Sequence, residues 1–181
     1  MCWKVVGICG ITNSGKTSVA KALQKKFKHS VLIKQDDYFL PVEDPRHVWI
    51  PEIGHINWEL LTSLDMDKMV LDINNVLKIE LSELRLLFIE GFTIFDVQRI
   101  SDICDYKFYI DLDYDMCKAR RLTRTYDPPD VEGYFDKVVW PEAVKSRDKL
   151  KTNVKNVIFL NGSLSIESLI NSVLDYIPFK Q

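Results

Sequence analysis

Residues 10–17 read GITNSGKT, and this stretch decides the fold of the chain. It matches the pattern G-x-x-x-x-G-K-[ST], in which glycines let the backbone wrap a phosphate with its N–H groups pointing inward. The helix after such a loop presents its positive N-terminal end to the same anion. The pattern predicts that Lys16 reaches the β- and γ-phosphates and that the hydroxyl of Thr17 is a ligand of Mg²⁺.

The flanking sequence supports this prediction. Residues 3–9 (WKVVGIC) form an apolar, β-branched run that is typical of a buried strand. Residues 16–28 predict a helix with Val19, Leu23 and Phe27 on one face. A strand before the loop and an amphipathic helix after it are the context that the motif requires, so we expect a nucleoside-triphosphate site here.

The rest of the chain alternates short apolar strands with helices. Strands are predicted at 31–35, 86–89, 107–112 and 157–160, and further helices at 58–77, 113–124, 135–151 and 166–176. Residues 38–57 contain three prolines and predict a long loop. The alternation indicates an α/β fold with a parallel sheet, whose ligands bind at the carboxyl ends of the strands.

Composition excludes several classes of protein. The 181 residues suit one domain over 1–181, and 24 basic against 26 acidic residues argue against a generally basic nucleic-acid binder. No apolar run reaches about 18 residues, and the apolar N-terminus is too short for a signal peptide, so we expect a cytoplasmic protein without a membrane span. The four cysteines, at positions 2, 9, 104 and 117, lack metal-site spacing and are expected to be free thiols.

Acidic residues follow the predicted strands. Asp36 and Asp37 come after the second strand, where a kinase needs a carboxylate to orient a hydroxyl and accept its proton. Glu90 follows the third strand and resembles an acid that holds Mg²⁺ through water. We favour it over Asp111, because Glu-Gly lets the backbone pass close to the phosphates; Asp111 and Asp113 are expected to begin the next helix.

A basic helix end precedes Pro128. Arg120 and Arg124 are four residues apart and share one face, whereas Arg121 projects about 100° away. One helix can therefore direct Arg120 and Arg124 at phosphates and Arg121 at a second ligand. We expect the segment over about 118–135 to form a lid on the active site. No guanine-reading N-K-x-D motif is present. A small kinase of nucleosides, nucleotides or similar metabolites is the class that remains.

Several strings together resemble the nicotinamide riboside kinase family. Beyond the phosphate loop they are QDDYF from 35, IEGF from 89, RRLTRTY from 120, PPD from 128, and GYFD with VWP from 133 to 141. The resemblance implies a three-layer P-loop kinase with a five-stranded parallel sheet in the order 2-3-1-4-5. It also implies that ATP phosphorylates the ribose 5′-hydroxyl of nicotinamide riboside, and also of nicotinic acid riboside, for NAD synthesis.

The resemblance also assigns roles to residues. Asp36 is the catalytic carboxylate, with Lys16, and lies at a Mg²⁺ site with Thr17 and Glu90. The residues expected to bind ATP are Gly10, Thr12, Asn13, Ser14, Gly15, Lys16, Thr17, Ser18, Arg120 and Arg124. Those expected to bind the riboside are Asp36, Phe39, Trp58, Glu59, Arg121 and Tyr126.

Two aromatic residues are expected to enclose the nicotinamide ring. Tyr126 covers one face, and Trp58, at the start of the second helix, covers the other. The pyridinium of this riboside is a cation, and each aromatic face attracts it by about 0.5–2 kcal/mol. Glu59 stands where the family usually has Asp and reaches one methylene further toward the ribose hydroxyls.

Two alternatives remain open. A kinase of a neutral nucleoside such as uridine would also stack its base on aromatic rings. A non-catalytic ATP-binding sensor would keep the phosphate loop, although the intact Lys16, Thr17, Asp36 and Glu90 argue against it. We expect a monomer or homodimer that binds small molecules and neither nucleic acid nor membrane.

Overall fold

The computed structural model describes residues 3–177, so Cys2 lies outside the described part of the chain. Five parallel strands form one sheet in the order β2-β3-β1-β4-β5. Their bounds are β1 Trp3–Gly10, β2 Val31–Lys34, β3 Arg85–Glu90, β4 Tyr106–Asp111 and β5 Val157–Asn161. The order 2-3-1-4-5 expected from the family resemblance is confirmed.

Side chains of β1 alternate between the two faces of the sheet. Val6 and Ile8 lie in one apolar cluster, whereas Val5 and Cys9 lie in another. Helices cover the first face with α1 (Lys16–Lys26) and α6 (Ile166–Leu174), and the second face with α2 (Met66–Leu77), α3 (Gln98–Ile103) and α5 (Trp140–Asn153). Because a strand buried on both faces must be apolar throughout, β1 has no polar stripe.

The prediction of a helix over 58–77 is wrong for its first eight residues, 58–65. Helix α2 begins at Met66, and the Asp65 side chain caps it by accepting a hydrogen bond from the N–H of Lys68. Trp58 and Glu59 therefore lie in the turn before the helix and not at its start. The predicted loop 38–57 contains a small antiparallel hairpin, Trp49–Ile50 with His55–Ile56.

Other elements differ from the prediction in extent. Helix α3 was not predicted, because it is six residues long and is anchored by the buried Ile100. Helix α4 spans Tyr114–Leu122, with Asp113 as its N-cap as predicted, and ends two residues earlier than expected. The predicted helix over 135–151 begins with a π-helical turn, Phe135–Val139, and continues as α5.

Three cysteines of the described chain, Cys9, Cys104 and Cys117, are buried free thiols, as predicted. Burial raises the pKa of Cys9 and of Cys104 to about 12, so neither forms a thiolate at neutral pH. Within residues 3–177 no helix combines the length and the apolar character that a membrane span needs.

Candidate active site

The phosphate loop follows β1 at the carboxyl edge of the sheet. Gly10 lies so close to β4 that an added Cβ would stand 2.4 Å from the carbonyl oxygen of Ile110, so no larger residue fits there. Helix α1 begins directly after Gly15 and has no side-chain cap, whereas Asp65, Asp113 and Ser165 cap α2, α4 and α6. The N–H groups of its first turn are thus free to bind an anion.

Lys16 and Thr17 are the first residues of helix α1, and their side chains contact groups at the carboxyl edge of the sheet. The Nζ atom of Lys16 donates a hydrogen bond to the carbonyl oxygen of Ile11 at 3.0 Å, within the loop itself. The hydroxyl of Thr17 donates to Oε1 of Glu90 at 3.0 Å. Glu90 ends β3 and is buried, and this burial raises the pKa of its carboxyl above the ordinary value. The loop and the β3 carboxylate are therefore in direct contact.

A buried glutamine fixes the end of β2 beside the end of β3. The side chain of Gln35 accepts a hydrogen bond from the N–H of Thr93 at 3.1 Å and donates to its hydroxyl at 2.9 Å. An added Cβ at Gly91 would lie 2.4 Å from Gln35 Cβ. We expected the glycine after Glu90 to let the backbone pass close to the phosphates. In the structure this glycine makes room for the side chain of Gln35.

The two adjacent carboxylates after β2 lie in different surroundings. Asp36 lines the cavity above the phosphate loop, whereas Asp37 forms an exposed ion pair with Lys34 at 2.6 Å. Asp111, the competitor of Glu90, lies 3.4 Å from Arg147. The geometry thus separates Asp36 from Asp37, which the strand-end pattern left as a pair and the family resemblance resolved in favour of Asp36.

A cavity of about 430 Å³ joins the phosphate loop to the lid segment. Its wall contains most of the residues predicted to bind ATP or riboside: Thr12, Asn13, Lys16, Thr17, Asp36, Phe39, Trp58, Glu59, Arg121, Arg124 and Tyr126. Residues that are about 110 positions apart in the sequence, such as Lys16 and Tyr126, therefore line the same cleft. A volume of this size is in the range of small-molecule sites.

Aromatic side chains form one wall of the cavity. The Phe39 ring meets Trp58 edge-on at a centroid distance of 5.8 Å and stacks on Phe92 at 6.0 Å. His47 packs against the Trp58 ring at 4.6 Å. Tyr126 lies on the lid segment and lines the same cavity without ring contact to Trp58, so the two rings predicted to enclose a base border one space.

Arg121 links three parts of the site. Its guanidinium donates two hydrogen bonds to Asp130, at 2.6 and 2.9 Å, and one to the hydroxyl of Thr12 at 3.2 Å. Glu59 lies 3.5 Å from the same group, and the Tyr126 ring covers it at 4.3 Å. A buried arginine needs such partners, because an unpaired charge loses its hydration at great cost.

Asn13 binds the other two arginines of the lid. Arg124 donates to its side-chain oxygen at 3.0 Å, and Arg120 donates to its carbonyl oxygen at 3.2 Å. Arg120 also donates to the carbonyl oxygen of Gly162 at 3.1 Å and does not line the cavity. Both arginines therefore approach the phosphate loop, as their spacing predicted, and Arg121 contacts the loop at Thr12, with Asp130 as its main partner.

Burial changes the acidity of Glu59. Its side chain is only 12% exposed, and burial raises the pKa of this carboxyl to about 7, although the charges of Arg121 and Lys16 oppose the rise. A carboxyl with a raised pKa in the folded state binds protons that the unfolded chain has released. Folding is therefore favoured below the ordinary pKa, and this contribution is lost as the pH rises toward about 7.

Glu59→Gln should raise the melting temperature more at pH 8 than at pH 5, because it removes a buried charge only where Glu59 is ionised. The rise in the pKa of Glu59 corresponds to at most about 3 kcal/mol in the free energy of unfolding. Each kcal/mol moves the melting temperature by about 2–4 °C in a protein of this length. Thermal unfolding at both pH values measures the difference. The exposed Glu52→Gln is the control, and an equal effect of Glu59→Gln at the two pH values would contradict the assignment.

The donor set suits Mg²⁺ bound together with a phosphate. Residues 3–177 contain no group of three or more His, Cys, Asp or Glu that could hold a metal by themselves. Mg²⁺ in phosphoryl-transfer sites uses few protein ligands and retains waters and phosphate oxygens. Thr17 and Asp36 line the cleft, whereas Glu90 is buried and accepts a hydrogen bond from Thr17, and these oxygen atoms are consistent with such a site.

Sequence reasoning did not assign Phe92, Asp127 or Asp130 to the site, yet all three line the cavity. Asp130 belongs to the PPD string and Phe92 to the IEGF string. Both strings support the family resemblance, but neither residue was assigned a function from it. Asp127 lies within the predicted lid and next to Tyr126, but no motif assigned it a role of its own.

Sequence comparison finds relatives that match most of the chain. The human protein named Nicotinamide riboside kinase 1 is 35% identical over 182 aligned residues, which cover 94% of this chain and 90% of that protein. No family model matches the chain.

Solved structures reproduce the fold. A sugar kinase from Janibacter superposes with a TM-score of 0.59 at 12% identity, over 96% of this chain and 94% of that one. A possible uridine kinase from Bacillus stearothermophilus gives 0.57 at 15% identity, over 87% and 89%. These likenesses show the P-loop kinase fold.

Proposed function

Because this chain belongs to the nicotinamide riboside kinase family, we propose that it phosphorylates the ribose 5′-hydroxyl of nicotinamide riboside with ATP. It is a phosphotransferase with an alcohol group as acceptor. The product of the proposed reaction is nicotinamide mononucleotide, a precursor for NAD synthesis. Nicotinic acid riboside, which carries the same ribose and a pyridinium ring, is proposed as a second substrate.

The observation that carries this proposal is the single cleft shared by Lys16, Thr17, Asp36, Trp58 and Tyr126. Lys16, Thr17 and Asp36 bring charged and hydroxyl groups to the cleft, and Trp58 and Tyr126 bring aromatic rings to it. A riboside with its base between the rings would direct its 5′-hydroxyl toward the phosphate loop. Such placement of both reactants supplies much of the catalysis in phosphoryl transfer.

Asp36 is proposed to orient the 5′-hydroxyl and to accept its proton. The ribose oxygen then forms a bond to the γ-phosphorus, the bond from that phosphorus to the bridging oxygen breaks, and ADP leaves. Lys16 and the N–H groups at the start of α1 hold the phosphates, and Arg124 stabilises the charge on the transferred group. Mg²⁺, held by Thr17 and Asp36 with Glu90 acting through water, would supply further neutralisation of the phosphate oxygens.

Glu59 and Arg121 are proposed to hold the ribose hydroxyls. Glu59 accepts hydrogen bonds best when ionised, and its pKa of about 7 makes riboside binding sensitive to pH near neutrality. Arg121 is held in place by Asp130 and Thr12, so it meets the riboside without rearrangement. A cytoplasmic location and a monomeric or dimeric state remain predictions.

Trp58→Leu should separate a cationic from a neutral base. Leucine keeps apolar bulk but removes the aromatic face, so nicotinamide riboside should lose about 1–2 kcal/mol in kcat/KM, which is roughly five- to thirtyfold. Uridine should lose less, because only stacking and contact area change. Initial-rate kinetics with both substrates give the ratio of the two losses.

Trp49→Leu is the matched control, because Trp49 is 59% exposed on the hairpin and does not line the cavity. It should leave both kcat/KM values unchanged. Equal losses for the two substrates in Trp58→Leu would rule out the cation–π interaction, although not the phosphotransferase activity.

A further inference from the structure

One buried histidine lies between the hairpin and the lid segment. His55 is the first residue of the second hairpin strand, is only 6% exposed and does not line the cavity. It has no part in the proposed mechanism. Because a buried polar side chain is costly without hydrogen-bond partners, the partners of His55 show which parts of the chain it holds together.

Both ring nitrogens of His55 face backbone carbonyl oxygens. Nε2 lies 3.1 Å from the carbonyl oxygen of Pro129, and Nδ1 lies 3.0 Å from that of Ile56. A carbonyl oxygen only accepts, so each contact is a hydrogen bond when the nitrogen carries a proton. The contact with Ile56 stays within the hairpin, whereas the contact with Pro129 joins positions 74 residues apart.

The ring of His55 also stacks on a second residue of the lid segment. Its centroid lies 4.7 Å from that of the buried Tyr134, with an angle of 20° between the ring planes. The hydroxyl of Tyr134 in turn accepts a hydrogen bond from the N–H of Trp58 at 3.0 Å. His55 and Tyr134 therefore connect the backbone of Trp58 with the lid, and neither of them lines the cavity.

The bond to Pro129 lies near both rings that are proposed to enclose the base. Pro129 is three residues after Tyr126, and His55 is three residues before Trp58. The residues on both sides of Pro129 line the cavity. The hydrogen bond therefore restrains the spacing between the two chain segments that carry the rings.

Other contacts join the same segments in a different way. Glu59 lies 3.5 Å from Arg121, but both line the cavity and are proposed to hold the ribose, so a bound riboside competes for them. Ile50 and Ile53 of the hairpin pack against the apolar cluster of the lid, and such packing is not directional. His55 supplies a directional link that lies outside the cavity and persists when the riboside is bound.

We propose that His55 is a positioning residue, which holds the lid through Nε2 so that the slot between Trp58 and Tyr126 exists before the riboside binds. The inference rests on the proposed function and deepens it. A preformed slot spares the riboside the cost of ordering the lid. Loss of one such hydrogen bond changes an equilibrium by about three- to tenfold. Because His55 touches no reacting group, the effect should appear in KM for the riboside and little in kcat.

The KM for ATP should change little in a His55 variant. Arg120 is bound to the carbonyl oxygens of Asn13 and Gly162, and Arg124 is bound to the side chain of Asn13. These bonds hold the ATP side of the lid without His55. A rise in KM for the riboside alone is therefore the signature of the proposed role.

His55→Gln and His55→Asn form the matched pair for the test. The amide nitrogen of glutamine is as many bonds from Cβ as Nε2 of histidine, whereas the amide nitrogen of asparagine corresponds to Nδ1. Glutamine can therefore still donate to Pro129, and asparagine cannot. Initial-rate kinetics with nicotinamide riboside and ATP should give a riboside KM about three- to tenfold higher in His55→Asn and close to wild type in His55→Gln.

His55→Phe keeps a ring against Tyr134 but has no donor, so its riboside KM should rise as in His55→Asn. This variant decides the test if loss of the ring unfolds the two amide variants, which thermal unfolding measures. Glu52→Gln is the control, because Glu52 is an exposed acid in the turn of the same hairpin and does not line the cavity. It should leave both KM values and kcat unchanged.

Hydrogen exchange in the free protein gives a second readout that needs no substrate. The backbone amides of residues 126–134 should exchange faster in His55→Asn and His55→Phe than in the wild type and His55→Gln, because the lid opens more often without the bond to Pro129.

Equal riboside KM values and equal lid exchange in His55→Gln and His55→Asn would overturn the proposal, as would a wild-type KM in His55→Phe. Rescue by asparagine and not by glutamine would overturn it too, since that result assigns the role to Nδ1 within the hairpin. A rise in KM for ATP as large as that for the riboside would indicate general damage. Failure of the proposed function has a different signature, because the wild-type protein would then not phosphorylate nicotinamide riboside, while lid exchange still tests His55.

Discussion

Lys16→Ala should lower kcat by about 10²–10³-fold or more while the protein stays folded. In the proposed mechanism Lys16 neutralises charge that develops between the β- and γ-phosphates, and removal of one such preorganised group has costs of this order. The side chain makes one hydrogen bond, to the Ile11 carbonyl, and packs in none of the apolar clusters. Steady-state kinetics and thermal unfolding measure the two effects separately.

Lys21→Ala is the control for this variant. Lys21 is an exposed residue of the same helix, five positions further on, and it lies outside the cavity. Its substitution should leave kcat unchanged. Near-normal turnover of Lys16→Ala would contradict the assignment of residues 10–17 as the phosphate loop.

Asp36→Asn should lower kcat by about 10²–10⁴-fold, because it removes the proposed base and a negative charge at the proposed metal site. ATP should still bind, since the backbone of the phosphate loop is untouched. The Asp36 side chain is exposed and has no hydrogen bond within the described residues, so the melting temperature should not fall. Turnover, nucleotide binding by calorimetry and thermal unfolding together distinguish a chemical defect from a structural one.

Asp37→Asn separates the two adjacent carboxylates. Asp37 faces Lys34 and not the cavity, so its loss should change turnover little. If Asp37→Asn were inactive and Asp36→Asn retained wild-type turnover, the base would have to be assigned to Asp37.

The phosphate loop and the strands of the sheet could be predicted because their signals are local, whereas the strand order came from the family resemblance. Residues 3–17 contain an apolar strand, a glycine loop and a helix start in immediate succession, and each depends on neighbours in the sequence. The Asp113 cap of α4 is equally local, since its carboxylate accepts from the N–H of Met116 three residues later.

The start of α2 could not be predicted because distant contacts determine it. The N–H of Trp58 donates to the hydroxyl of Tyr134, and the carbonyl oxygen of Ser63 accepts from the N–H of Leu40. These bonds hold the segment before Asp65 outside a helix although its composition suits one. The position of Trp58 and Glu59 before the helix follows from contacts that no local pattern contains.

The sequence also could not predict which charged groups of the site form ion pairs with one another. Spacing predicted that Arg121 points away from Arg120 and Arg124, and the geometry agrees. It could not predict that Asp130 and Glu59 both pair with Arg121, because Glu59 and the lid residues come from separate segments. Spatial proximity of such groups arises only when the lid folds over the cleft.

The central claim is tested most directly by kcat/KM of the wild-type protein for nicotinamide riboside and for uridine, measured side by side with ATP and Mg²⁺. Mass spectrometry and phosphorus NMR identify the product and the site of phosphorylation. Our account predicts a higher kcat/KM for nicotinamide riboside and a 5′-phosphate as the product. A higher kcat/KM for uridine, or ATP hydrolysis that no riboside accelerates, would contradict it.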